Sequence, residues 1–360
     1  MKSVRFLHIS DCHLESHFSD LPPDKAALRR EEQLLTFKNI LDKFSDADVV
    51  LMAGDLFDGE CSEYTVIYLC KLFSEHSESH FFICGGNHDS LKSSCMHLLA
   101  KNIPDNVTLF GETMQCVHMD NVCIYGASFV DTHMYSSLLS GFRAENTDNI
   151  NIMVMHGEIG KSGMYNPITE NEISDSGLDY LALGHRHGFS GIQKSGDTHY
   201  SYSGITEPTG FDECGECGVV YGTISKRGIS AKFYPVSKRK YHKIEIDISD
   251  MHTNSEIAAK FNNISDETDL YSVQLYGRRK TGFIPDINLC KSLSSAFWVE
   301  FYDTSENEVD ITEFTNEKSL RGYSVKILQS MQSQNKFIDD AQYIAVRNIL
   351  TEMFFGGDTP

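Results

Sequence analysis

Five short apolar runs, each ending on a small polar motif, constrain this chain more than any other feature. Val4–Ile9 runs into Asp11-Cys12-His13, and Val49–Ala53 into Gly54-Asp55. Residues 81–84 lead to Gly86-Asn87-His88-Asp89, residues 150–155 to His156-Gly157, and residues 180–183 to Gly184-His185-Arg186-His187. A sixth run covers 122–125. Short runs of this kind, bounded by Gly, Asp, Asn or His, read as buried strands. Between the first two, residues 24–44 place Leu28, Leu34, Leu35, Phe37, Ile40, Leu41 and Phe44 near helical spacing, and 62–74 and 90–101 are further helix candidates. The alternation predicts a layered α/β fold. In such folds ligands bind beyond the carboxyl ends of the strands, so all five motifs are expected on one edge.

The residue types in those motifs suit a pair of divalent ions held by a shared anionic bridge and several further donors. Asp55 is the natural bridge. Asp11, His13 and His187 can complete one ion, and Asn87, His156 and His185 the other. Imidazole together with carboxylate favours Mn, Fe or Zn over Ca. His88 is not needed as a ligand and is free to face a phosphate, stabilising developing charge or protonating a leaving oxygen. Asp58, three residues after Asp55, is placed to accept the other N–H of His88 and orient its ring. A lone His in an apolar run is usually a satisfied core residue, and His8, His118 and the remaining histidines are read as surface or core residues. Five motifs in order at expected strand ends are not explained by core packing.

The pattern changes after about residue 195. Strands are expected over 218–224, 229–236, 243–248, 271–276 and 297–302, with helices over 256–262 and 287–294. This divides the chain into a first domain at 1–239, a smaller α+β domain at 240–312 and a helical segment at 313–360. In the last, Leu320, Tyr323, Ile327, Leu328 and Met331 lie on or near one helical face. The ten cysteines are too sparse for a disulfide scaffold, and buried thiols in a reduced compartment are expected. Cys214 and Cys217 have metal-ligand spacing but no second pair nearby, so they are not read as a site. No stretch approaches the roughly 18 apolar residues of a membrane span. The opening residues lack a long apolar core followed by a small-residue cleavage site, so a cytoplasmic location is expected.

The order of the motifs resembles that of the calcineurin-like metallophosphoesterase superfamily. Residues 1 to about 240 are most similar to its DNA-repair nuclease branch, the SbcD-type exonuclease subunits. Ile9-Ser10-Asp11-Cys12-His13-Leu14 resembles the opening motif of that branch. Tyr202-Ser203-Gly204, then Thr209-Gly210-Phe211-Asp212-Glu213, resembles the segment after the last ligand motif, and Phe233-Tyr234-Pro235-Val236 also looks like the branch. The resemblance implies a layered β-sandwich flanked by helices, with a small capping domain after it. It implies two manganese ions on Asp11, His13, Asp55, Asn87, His156, His185 and His187, with His88 catalytic. It also implies a homodimer and a coiled-coil ABC-type ATPase partner, SbcC-like, for which the C-terminal helices are the candidate docking element. The chain departs from the pattern at Asp58, where some members carry His, and at Ser203, where many carry Pro. Asp58-Gly59 also lacks the Asp-Arg-Gly typical of protein Ser/Thr phosphatases.

Charge bears on the substrate. The net charge is −20, which disfavours purely electrostatic nucleic-acid binding. Residues 226–291, however, hold twelve bases against eight acids, a local balance of +4. Lys238, Arg239 and Lys240 precede Tyr241, and Arg278, Arg279 and Lys280 follow Tyr276, as a DNA-tracking surface would require. The expected function is therefore a two-metal nuclease acting in DNA end processing or repair. A phosphodiesterase for nucleotides or other small diesters and a DNA-end-holding adaptor of an ATPase complex stand as alternatives.

Overall fold

The computed structural model describes residues 3–355 except positions 147, 161, 281 and 310, and leaves aside the side chains of residues 352 and 355. The chain forms two compact units, Met1–Lys238 and Arg239–Pro360. Residues 240–312 and 313–355 fall within the same second unit.

In the first unit the order is β1 (Val4–Ile9), α1 (Pro23–Lys43), β2 (Val49–Ala53), α2 (Glu63–Glu75), β3 (His80–Cys84), α3 (Ser94–Asn102), β4 (Val107–Leu109), β5 (Gln115–Met119), β6 (Val122–Gly126) and β7 (Ile150–His156). A minimal pair, β8 (Glu158–Ile159) and β9 (Pro167–Ile168), precedes α4 (Glu170–Asp175), β10 (Tyr180–Gly184), β11 (Gln193–Ser195), β12 (Thr198–Tyr202), β13 (Gly218–Ser225) and β14 (Gly228–Pro235). Two six-stranded sheets result, ordered β14-β13-β1-β2-β3-β4 and β11-β12-β10-β7-β6-β5.

Both faces of the central strands are buried, which is why their sequences read as unbroken apolar runs rather than alternating ones. Phe6, Val49, Leu51, Phe82 and Cys84 share an inter-sheet core with Ile124, Ile152, Val154, Tyr180 and Ala182. Their neighbours Leu7, Ile9, Val50, Met52, Phe81 and Ile83 point the other way, toward Phe37, Ile40, Leu69, Phe73 and Leu99. Met153, Met155, Leu181 and Leu183 likewise face an outer cluster with Ile168 and Ile173. β1 to β3, and β7 with β10, run parallel, so their carboxyl ends lie along a common edge of each sheet. The third helix starts at Ser94 rather than at 90, because Ser93 caps it by accepting from Met96 N. Ser90 to Ser93 form the preceding turn, closed by Ser93 N to Ser90 O at 2.8 Å.

The second unit opens with β15 (Tyr241–Asp247), α5 (Asn254–Asn262), β16 (Leu270–Tyr276), β17 (Arg278–Arg279), α6 (Ile287–Ser292), β18 (Trp298–Asp303) and β19 (Glu306–Asn307). Its three-stranded sheet, β15-β16-β18, is parallel, with a helix in each connection as parallel pairing requires. Ile246, Phe261, Tyr271, Val273 and Phe301 form its core. A 3-10 turn (Ile311–Phe314) leads to α7 (Leu320–Ser333) and α8 (Asp340–Phe355), where Ile311, Val325 and Leu328 pack together. The rest of the α7 stripe faces outward: Leu320, Tyr323, Ile327 and Met331 are exposed. No described helix is long and apolar enough to cross a membrane.

The expectation of thiols throughout is corrected at one place. Cys61 and Cys95 form a disulfide with Cα atoms 5.7 Å apart, and the other eight cysteines are free. Chain folding rather than sequence spacing makes this pair, since 34 residues separate the two.

Candidate metal centre

Asp11 and His13 leave β1, Asp55 leaves β2, Asn87 and His88 leave β3, His156 ends β7, and His185 and His187 follow β10. The chain turns sharply here. Asp11, His13, Asp55 and His185 all have positive φ, at 49°, 43°, 51° and 101°. Such conformations cost a side-chain-bearing residue about 1–3 kcal/mol and persist where the surroundings enforce them. The close approach also explains two glycines. A Cβ at Gly86 would land on the Asp55 carboxylate, and one at Gly184 on the Ala53 carbonyl.

Seven side chains named from the motifs converge. His13 Nε2 stands 3.1 Å from His187 Nε2, and Asp11 lies beside both. His156 Nε2 is 2.8 Å from Asn87 Oδ1 and 3.3 Å from Asp55 Oδ2, and His185 Nδ1 is 3.1 Å from the same Asn87 oxygen. Asp55 Oδ2 also lies 3.9 Å from His13 Nε2, which places it between the two groups. Asp11 accepts the His185 backbone N–H at 2.9 Å, and Asp55 that of His88 at 2.9 Å.

The second ring nitrogens decide what this cluster can hold. His156 Nδ1 donates to the Ala53 carbonyl at 3.0 Å, and His187 Nδ1 donates to Glu213. Asp58 Oδ1 lies 3.5 Å from His13 Nδ1. With these partners the protons sit on Nδ1, and the Nε2 lone pairs point at each other and at carboxylate and amide oxygens. Acceptors gathered this way repel one another unless cations lie among them, so the residues fit two divalent ions.

Charge follows the same layout. Burial opposes ionisation of Asp55, but His156, His13 and His88 outweigh it and hold the carboxyl below its usual range. Burial works against a charged His187, yet the Glu213 bond prevails and raises it to about 9, so a cation binding at His187 Nε2 would displace a proton there. Burial, then the neighbouring His156, lowers His185.

His88 stands at the rim, its side chain 46% exposed and its Nδ1 2.9 Å from Asp58 Oδ1. Asp58 raises His88, and bonds from His13 and His88 hold Asp58 far below the usual carboxylate range. Ser16 Oγ steadies Asp58 from the other side at 3.0 Å. The structure thus brings Asp58 and His88 together.

Two residues quoted within the motifs carry unforeseen roles. Asp89 is fully buried and accepts backbone N–H bonds from Asp55, Leu56, Phe57 and Gly86 at 2.7–3.2 Å, clamping both ligand loops. Glu213 is anchored by the Thr209 hydroxyl at 2.9 Å and aims His187. An acid inside or just after a ligand motif was the available signal. His8 lies in the core as expected, bonded to the Tyr180 hydroxyl and the Leu183 carbonyl at 3.0 and 3.1 Å. Cys217 is buried and Cys214 exposed, and neither belongs to a metal-ligand group among the described residues.

Two members of the basic clusters do not lie at the surface as expected. Arg239 is buried, with its guanidinium 3.5 Å from the centre of the Phe297 ring, and Arg279 is 2% exposed and donates to the Phe283 carbonyl at 2.6 Å. Both serve the fold of the second unit and are withdrawn from any DNA-facing surface. Lys280 pairs with Glu308 at 2.7 Å, and Lys238 lies 3.6 Å from Glu32. Arg278 is exposed and Lys240 half-buried.

A two-sheet sandwich with paired His-and-carboxylate groups beyond its parallel strands defines a metallophosphoesterase architecture. The chain belongs to the calcineurin-like phosphoesterase family, whose profile matches residues 4–189. It is similar to the uncharacterized metallophosphoesterase YhaO of Bacillus subtilis (strain 168), with 25% identity over 269 residues, covering 69% of this chain and 64% of that protein. The chain therefore spans a little under two thirds of that relative's length. The crystal structure of TT1561 of Thermus thermophilus matches 65% of this chain and 100% of its own, with 11% identity and a TM-score of 0.42.

Proposed function

We propose that this chain is a two-metal phosphodiesterase acting on DNA ends as the nuclease subunit of an end-processing complex. The observation that carries the hydrolytic part is the convergence of imidazole nitrogens on Asp55 and Asn87, beside the exposed His88. Two divalent cations, manganese in this proposal, supply Lewis acidity and lower the pKa of a water when bound. The chain's own residues do the rest. Asp55 and Asn87 fix the spacing of the two halves of the site. Asp58 holds His88 Nδ1 and favours the charged form of the ring, which leaves Nε2–H to act on a phosphodiester. The water loses one proton to solvent as its oxygen forms the bond to phosphorus, the bond to the leaving oxygen breaks and that oxygen takes the His88 Nε2 proton, and His88 regains a proton from solvent.

The DNA assignment rests on the local positive balance of residues 226–291 and on exposed Arg278. With Arg239 and Arg279 buried, affinity of this chain alone for DNA is weak and salt-sensitive, so a partner contributes. The exposed stripe Leu320, Tyr323, Ile327 and Met331 supports docking of a coiled-coil ABC-type ATPase, with the nuclease chains paired as a homodimer.

The test is purified protein with Mn²⁺ on linear duplex DNA and on bis-p-nitrophenyl phosphate. Cleavage of both is expected. Rapid turnover of the small diester with intact DNA would instead assign a small-molecule phosphodiesterase, a reading that the overall charge of −20 favours. Full biological activity of an Asp55→Ala variant would identify an adaptor.

A further inference from the structure

Away from the strand ends, the β5–β6 hairpin gathers three metal-ligating side chains on one face. Cys116 and His118 are two residues apart on β5 and so point the same way, and His118 lies directly opposite Cys123 on β6. Their intervening neighbours, Val117 and Met119, turn to the inter-sheet core, which fixes the face. His118 Nδ1 is 3.3 Å from Cys123 Sγ, and His118 Nε2 is 3.6 Å from Cys116 Sγ. One donor atom from each residue lies within 4.8 Å of the other two.

We propose that Cys116, His118 and Cys123 form a separate site for one thiophilic divalent cation, zinc, pinning the hairpin at the edge of its sheet. Zinc–sulfur and zinc–nitrogen bonds of about 2.3 and 2.0–2.1 Å at a tetrahedral angle put sulfur and nitrogen about 3.6 Å apart. The ring of His118 already stands at that spacing from both sulfurs, and a small rotation of this exposed side chain selects the ligating nitrogen. Asn149 Nδ2 donates to Cys123 Sγ at 3.2 Å, as outer partners do for ligating thiolates. Burial, and then the neighbouring Cys123, push the Cys116 thiol up, and a cation between the two reverses that repulsion. The fourth position is left to solvent on the His118 side. The donor set differs in kind from the Asp55 cluster, which offers nitrogen and oxygen only, and thiolates select softer ions than those groups do.

The experiment uses reduced, metal-stripped full-length protein titrated with Co²⁺ and then with Zn²⁺. A thiolate-to-cobalt charge-transfer band is expected in the near ultraviolet, displaced by zinc. It is lost in Cys116→Ser and kept in Asp55→Ala. His118→Ala alters an exposed side chain, so it spares the fold. It weakens zinc binding by more than the roughly 10–100-fold that loss of an outer partner costs. Both hairpin variants keep wild-type turnover of bis-p-nitrophenyl phosphate. A titration without a thiolate band, or a band unchanged in Cys116→Ser and His118→Ala, overturns the proposal.

Discussion

The two units treat their charged side chains in opposite ways. In the first, histidines and carboxylates far apart in sequence meet because parallel strands deliver their carboxyl ends to one place. In the second, bases adjacent in sequence are driven apart. Arg278 and Arg279 are neighbours on β17, and the pleat sends one to solvent and the other inward. Arg239 is likewise drawn from its lysine neighbours onto Phe297. A motif at a strand end keeps its side chains available, whereas a run of like charges on or beside a strand is divided between surface and core.

The largest test of that contrast is Asp55→Ala. Asp55 lies between both halves of the cluster, so its loss is expected to reduce diester turnover by at least about 10²–10³-fold, together with bound metal measured by elemental analysis. Retention of both would mean that the strand-end residues do not act together. His88→Gln is expected to lower turnover about 10²-fold while leaving metal content unchanged, because His88 touches the rim and not the lone pairs within. A variant that lost metal as well would move His88 into the ligand set.

The second unit supplies the next test. Arg279→Met should cost about 1–3 kcal/mol in urea denaturation, since it leaves the Phe283 carbonyl without this donor. Arg278→Met should change stability by no more than about 0.5 kcal/mol, but lower the salt slope of DNA binding by about 1. Equal effects from the two would dissolve the distinction between surface and buried bases.

A further effect, seen only as pH falls, concerns His8, a core histidine beside the site strands. Burial pushes it down to about 3, so the folded protein refuses a proton that the unfolded chain accepts below about 6.5. Its contribution is complete above that value and is lost as pH falls toward 3. Between pH 7 and pH 5 the loss approaches about 2 kcal/mol. Comparison of urea midpoints for wild type and His8→Gln at both pH values checks this, and parallel declines would remove His8 as the cause.

Much of the first unit was legible because burial on both faces writes a strand as an unbroken apolar run. The polar residues that end each run then stand out. Asp58 beside His88 was legible for a related reason, since both follow known strand ends at short spacing. Asp89 and Glu213 were present in quoted motifs, but their work is done on backbone N–H groups and on a ring nitrogen whose positions sequence does not show. Cys116, His118 and Cys123 were not read as a group from the sequence. Their meaning required the hairpin register that sets His118 opposite Cys123. The disulfide between Cys61 and Cys95 joins segments whose proximity only the packed chain creates.

The layered fold, the strand ends and the residue types gathered there follow from the order of residues alone, because strand burial and ligand chemistry are local properties of composition and spacing. Packing chooses which nitrogens face one another, which arginines remain at the surface, and that Leu328 alone of the named α7 stripe is buried. Those outcomes depend on contacts between residues distant in sequence, where pleat direction, register and competing hydrogen-bond partners choose among side chains that look alike in one dimension.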